Sequence, residues 1–127
     1  MAGANDDRLR LHVRNIEVDV LTGVYSEETH LPQPLRVSVA ADIEAPTFFH
    51  PDMKLAESKN YMDIRHAMTD AIPKDRHFTL IEAVAEHIAE TLFLQDRRVL
   101  RVEVDIVKLA ISKNGEEIGI NLIRHRR

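Results

Sequence analysis

From Leu9 onward, apolar and polar residues alternate. Leu9, Leu11 and Val13 share one parity, and Ile16, Val18 and Val20 continue on the other. Alternation predicts a half-buried strand, and the parity change near Asn15 predicts a bulge. Gly23 breaks the run. Tyr25 to Pro34 is polar, closes on Pro32-Gln33-Pro34 and reads as a connection. Leu35, Val37, Val39, Ala41 and Ile43 then alternate with polar or small residues, the clearest strand in the chain, and a hairpin with the first strand is the economical pairing. Pro46 to Lys54 reads as loop. Helical spacing follows at Ile64, Met68, Ala71 and Ile72, with Pro73 as the stop. A second helix is predicted from about Leu80 to Leu94, with Ile81, Val84, Ile88 and Leu92 on one stripe. Val102, Val104 and Ile106 predict a third strand, Asn114-Gly115 a turn, and Ile118, Ile120 and Leu122 a fourth strand.

The order strand, strand, helix, helix, strand, strand predicts an α+β fold: one antiparallel four-stranded sheet with both helices on one face. Its outer strands would offer unpaired backbone groups, so a closed ring of subunits joined edge to edge fits the pattern. A length of 127 residues suits a single domain. We expect residues 1–8 to form a flexible leader and 9–127 the domain.

Composition narrows the function. There are no cysteines, which excludes a disulfide framework, an iron–sulfur site and a thiol nucleophile and fits a reducing, cytoplasmic setting. A formal charge of −4 argues against general binding to nucleic acid or anionic membrane. No apolar run approaches a transmembrane span, and Met1 to Asp7 carries no signal-peptide pattern. Seven histidines occur without metal-ligand spacing, and neither a serine-nucleophile motif nor a phosphate-cradling glycine loop is present. No metal or cofactor is expected.

Four places carry candidate chemistry. Lys108 shares parity with Val102, Val104 and Ile106, so the apolar face also carries an amine: either a strand-end lysine reaching water, or a proton carrier at a pocket rim. Thr79-Leu80-Ile81-Glu82 spells a capping box with Thr79 as N-cap; alternatively Glu82 points into a cleft, where a carboxylate suits two parallel N–H donors. Tyr61 follows Asn60 just ahead of the first helix, as an ordinary packing residue or a hydroxyl in a site. Glu27-Glu28 lies in the loop after Gly23, where a solvated acidic pair is the default. The basic tail Arg124-His125-Arg126-Arg127 reads as a solvated terminus.

Together these segments resemble the dihydroneopterin aldolase family, over about Leu9 to Arg124. The loop Gly23-Val24-Tyr25-Ser26-Glu27-Glu28, the strand start Gln33-Pro34-Leu35-Arg36-Val37, the pair Asn60-Tyr61, the helix stretch Phe78 to Ala89 and the strand Val104-Asp105-Ile106-Val107-Lys108 occur in family order. The resemblance implies the tunnelling fold, with subunits in rings of four, or two such rings stacked, and pterin sites between subunits. It implies a retro-aldol cleavage of dihydroneopterin to hydroxymethyl-dihydropterin and glycolaldehyde in folate biosynthesis, without metal or Schiff base. It assigns Lys108, Tyr61 and Glu28 to catalysis and Glu82, the backbone of Ile81, Glu28 and Tyr61 to substrate binding.

The chain departs from the family pattern at Thr22, often histidine, at Lys59, usually apolar, at Glu57-Ser58, at Thr79 and at Leu109, where proline is common. Leu109 also occurs in the related dihydroneopterin triphosphate epimerase, and Lys59 is expected to add charge near the cleft and favour a phosphorylated substrate. The alternatives are therefore that epimerase, or a ring-forming pterin binder without catalysis.

Overall fold

A computed structural model describes residues 6–24 and 31–127. The strands are β1 (Arg8–Val20), β2 (Gln33–Glu44), β3 (Arg101–Lys108) and β4 (Gly119–His125), and the helices are α1 (Tyr61–Met68) and α2 (Ile81–Gln95). The sheet is antiparallel throughout, in the order β1-β2-β3-β4. The α+β arrangement matches the alternation and periodicity of the chain, and the expected first hairpin is present. β1 begins at Arg8, one residue inside the expected leader, and residues 1–5 lie outside the described residues.

The parity change in β1 is a bulge. Val13 pairs with Val39 and Ile16 with Val37, so β1 carries one extra residue there. Asn15 takes the left-handed backbone conformation, φ 64°, which asparagine tolerates better than most residues, and its amide donates to Oγ of Ser38 at 3.0 Å. Without that residue, Ile16, Val18 and Val20 would face away from the helices; with it, both halves of β1 serve one core.

That core lies between the sheet and the helices. Leu35, Val37, Val39, Ala41 and Ile43 from β2 meet Val102, Val104 and Ile106 from β3, and α1 and α2 cover them with Ile64, Met68, Val84, Ile88 and Leu92. The outer face is polar and internally paired. Arg10, Asp42 and Arg101 stand side by side across three strands, with the Arg10 guanidinium donating to both Asp42 oxygens at 2.7 and 3.1 Å. No helix among the described residues is long and apolar enough to cross a membrane.

Three element boundaries differ from expectation. α1 stops at Met68, five residues before Pro73: the Thr69 hydroxyl turns back to the Arg65 carbonyl, and Ile72 reaches the core from a turn rather than a helix. β4 starts at Gly119, leaving Ile118 exposed just outside it. The capping box is not formed: the N-cap of α2 is Leu80, with no side-chain cap hydrogen bond, and Thr79 and Glu82 are both exposed.

Candidate active site

Three segments converge at one end of the sheet. The first is Gly23-Val24, just beyond β1. It is held by strand-like bonds to Phe78, whose amide donates to the Leu21 carbonyl at 2.8 Å and whose carbonyl accepts from Gly23 at 3.2 Å. The second is the start of α2, Thr79 to Glu82. The third is the junction of β3 and β4, with Lys108 on one side and Ile118 to Ile120 on the other. Together they line a concavity of about 220 Å³.

Lys108 ends β3. Its register partner is Leu35, so its side chain shares the helix-facing side with Val104 and Ile106 and is half-buried there. Ser112 ties the connection shut behind it. The serine hydroxyl donates to the Lys108 carbonyl at 2.7 Å and accepts from the Ile118 amide at 2.9 Å, while the Lys108 amide donates to the Ile118 carbonyl at 2.8 Å. The chain then returns as β4 through Gly119, opposite Val107. A β-carbon at Gly119 would stand 1.8 Å from the Ile106 carbonyl oxygen, so only glycine permits this approach.

Glu82 sits in the first turn of α2, where unpaired amides and the helix dipole favour a negative charge. Since no capping box engages it, its carboxylate stands on the same concavity as Lys108. Val24, Leu80, Ile81, Ile118 and Ile120 give the remaining wall an apolar character. The arrangement thus offers a carboxylate able to accept two N–H donors, an amine, and an aliphatic lining.

Of the residues singled out in the sequence, Glu82, Ile81 and Lys108 come together here. Tyr61 does not line the concavity; it is the first residue of α1 and is 58% exposed. Glu28 lies outside the described residues. Lys59 departs from expectation. It is 2% exposed, and its Nζ lies 3.5 Å from Asp96 at the far end of α2, so its charge is taken up inside the chain rather than lining this concavity. Gly119 and Ser112 were not singled out as site residues. Gly119 had a signal, an isolated glycine inside an apolar strand pattern; Ser112 had none. Among the described residues no three His, Asp or Glu side chains gather as a metal site.

The same fold recurs in solved structures. A FolB chain from Vibrio cholerae superposes with a TM-score of 0.77 at 23% identity, covering 97% of this chain and 99% of that one. A dihydroneopterin aldolase from Burkholderia thailandensis, bound to guanine, gives 0.76 at 22% identity, with 95% and 93% covered. The E. coli dihydroneopterin aldolase in complex with neopterin gives 0.73 at 20% identity, with 91% and 97% covered. These likenesses define the class: an α+β domain with the fold of the pterin aldolases. Sequence comparison is more specific. The family model described as FolB, dihydroneopterin aldolase, matches residues 11–122. The dihydroneopterin aldolase of Methylorubrum extorquens is 34% identical over 120 residues, 92% of this chain and 90% of that protein. The chain belongs to the dihydroneopterin aldolase family, a family of lyases.

Proposed function

We propose that this chain is a dihydroneopterin aldolase, cleaving dihydroneopterin to hydroxymethyl-dihydropterin and glycolaldehyde. The observation that carries the reading is the convergence of Glu82 and Lys108 on one concavity in a chain of this family. The Glu82 carboxylate accepts from the exocyclic amine and the adjacent ring N–H of the pterin, with the Ile81 backbone alongside. The apolar walls cover the faces of the ring.

Lys108, through a water, takes the proton from the hydroxyl on the second side-chain carbon. The bond between the first and second side-chain carbons breaks. The second carbon leaves as the aldehyde of glycolaldehyde, and the electron pair passes to the first carbon and into the ring C=N, giving an enamine. Protonation of the first carbon completes the product, with Tyr61 as proton donor. The ring C=N is already an electron sink, so neither a lysine imine nor a metal is required. Positioned proton transfer of this kind contributes roughly 10²–10⁴ in rate.

Tyr61 stands away from the concavity, so we assign it to the site of a neighbouring copy, while Glu28 keeps the catalytic and binding role that the family resemblance gives it. β1 and β4 are the two edges of the sheet, and pairing them between copies closes a ring of four, single or stacked. We place the activity in the cytoplasm, in keeping with the cysteine-free composition.

Incubation with dihydroneopterin and, separately, with its triphosphate tests the reading. Glycolaldehyde release from the unphosphorylated substrate supports it. Epimer formed only from the triphosphate identifies the epimerase instead, and binding without turnover identifies a pterin-binding protein. The inward-turned Lys59 removes one reason for expecting a phosphorylated substrate.

A further inference from the structure

Lys59 is an expensive residue where it stands. Its side chain is almost wholly withdrawn from water, and a buried ammonium costs several kcal/mol unless it is paired. An apolar side chain of equal length would fill the same space without that cost, so packing does not explain the charge. What surrounds it does. Asp96, the C-cap of α2, is the hub of a small ionic cluster. It accepts from Nε and Nη2 of Arg98 at 3.1 and 2.9 Å and from the Arg98 amide at 2.9 Å, and Lys59 Nζ lies 3.5 Å away. Asp63, in the first turn of α1, is 4.0 Å from the same amine. The remaining arm of Arg98 donates to the Ala56 carbonyl at 3.0 Å.

The cluster therefore grips one short stretch of chain at two points, Ala56 and Lys59. Asn60 adds a third, since its side chain caps α1 by accepting from the Met62 amide at 2.9 Å. Tyr61 is the next residue. It is held by three successive anchors while its own side chain projects, exposed, away from the chain's core.

We propose that Lys59, Asp96 and Arg98 form an ionic clamp, buried at Lys59 and open to solvent at Arg98, whose role is to position Tyr61 for the pterin site of a neighbouring copy. The proposal rests on the catalytic reading above. Lys59 is a positioning residue here: it touches no substrate and acts through Tyr61.

The test is a double-mutant cycle. Lys59→Met keeps the length and removes the charge. It is introduced into the wild-type chain and into Tyr61→Phe, and kcat and KM are measured with dihydroneopterin. The clamp predicts a fall in kcat of about tenfold, the scale of a sub-ångström misplacement, with a smaller change in KM. It also predicts almost no additional fall in the Tyr61→Phe background, because the two changes act on one function. Equal fractional losses in both backgrounds, or an unchanged kcat in wild type, overturn it. Asp96→Asn carries the same expectations and serves if Lys59→Met does not fold.

A wild-type chain without turnover would refute the aldolase reading separately. The clamp is then tested by Tyr25→Phe, which leaves Tyr61 as the sole tyrosine. Lys59→Met in that chain should lower the steady-state anisotropy of tyrosine fluorescence, because the exposed ring loses its anchor, and unchanged anisotropy refutes the clamp.

Discussion

Replacing Gly119 with alanine pits two opposed effects against each other, and the geometry decides between them. In an unstrained extended site, glycine to alanine stabilises by about 0.4–1 kcal/mol, because the unfolded chain loses freedom. Here the new methyl would stand 1.8 Å from the Ile106 carbonyl oxygen and 2.8 Å from both the Ile106 carbonyl carbon and the Val107 α-carbon. All three are backbone atoms of β3 and cannot rotate away. Ordinary contact begins near 3.4 Å, so β4 must retreat by about 1.6 Å. A retreat of that size breaks the 2.8 Å bond from the Lys108 amide to the Ile118 carbonyl and strains the next hydrogen-bonded pair of the alternating antiparallel ladder, Ile106 with Ile120, to breaking. At about 1 kcal/mol each, plus the penalty for a partly buried amide left unpaired, the net loss is about 2–3 kcal/mol. For a domain of this size that lowers Tm by roughly 6–15 °C. Calorimetry at fixed protein concentration measures it, since assembly would otherwise shift Tm by mass action. The turnover number should fall as well, because Lys108 moves with the end of β3. Gly115→Ala is the comparison: nothing lies within 4 Å of its β-carbon, so only the strain of φ +82° remains, costing about 1 kcal/mol. A Gly119→Ala protein that melts within about 2 °C of wild type and turns over normally would refute the reasoning.

Lys108→Ala should cut turnover about 10²-fold or more while pterin binding, followed by ligand fluorescence, largely survives. Glu82→Ala should do the reverse, because it leaves the N–H donors of the ligand unpaired; a loss of thermal stability alone would confine Glu82 to complementing the dipole in the first turn of α2. Asp96 supplies an acid limit. The hydrogen bonds from Arg98, opposed by burial and assisted by Lys59, hold its carboxyl at about 2, below the ordinary 3.8. Its folded value is the lower one, so its contribution of about 1–2 kcal/mol is complete above pH 4 and disappears as pH falls toward 2. Asp96→Asn should therefore melt lower at neutral pH and show a shallower decline through that window, as followed by circular dichroism. Finally, inactive Lys108→Ala and Tyr61→Phe chains, unfolded together and refolded as mixed rings, should recover activity. If each site takes its lysine from one copy and its tyrosine from the next, random mixing restores about one quarter of the sites. No recovery would place both groups in the same chain.

The sheet and the core were legible because every strand had to hide one face. Parity alone located the bulge at Asn15, since no other arrangement lets Leu11 and Val18 reach the same helices. The end of α1 was not legible. Ala71 and Ile72 keep helical spacing with Met68, but a turn can bury the same residues, and periodicity does not distinguish the two. The capping box failed for a related reason. Thr79 and Glu82 have the right spacing, but the bonds between Phe78 and the segment after β1 fix the approach to α2 and leave Leu80 as its N-cap. A local motif lost to a tertiary constraint, and the loss is what frees Glu82 to face Lys108.

Lys59 shows the opposite limit. Its charge was visible and its neighbours were not. Read beside Asn60 and Tyr61, a lysine looks like a group for the cleft; its actual partner lies 37 residues away, at the end of a helix. Side-chain chemistry can be read from a sequence, but the direction in which a long side chain is spent depends on which element ends beside it. The same holds for the site as a whole. Glu82 and Lys108 meet because α2 begins where β3 finishes, at one end of the sheet. Tyr61 stands clear of that end. Such separation is what a head-to-tail assembly requires: each copy carries one half of a site on one surface and the complementary half on another, so the chemistry is complete only where two surfaces of different kinds meet.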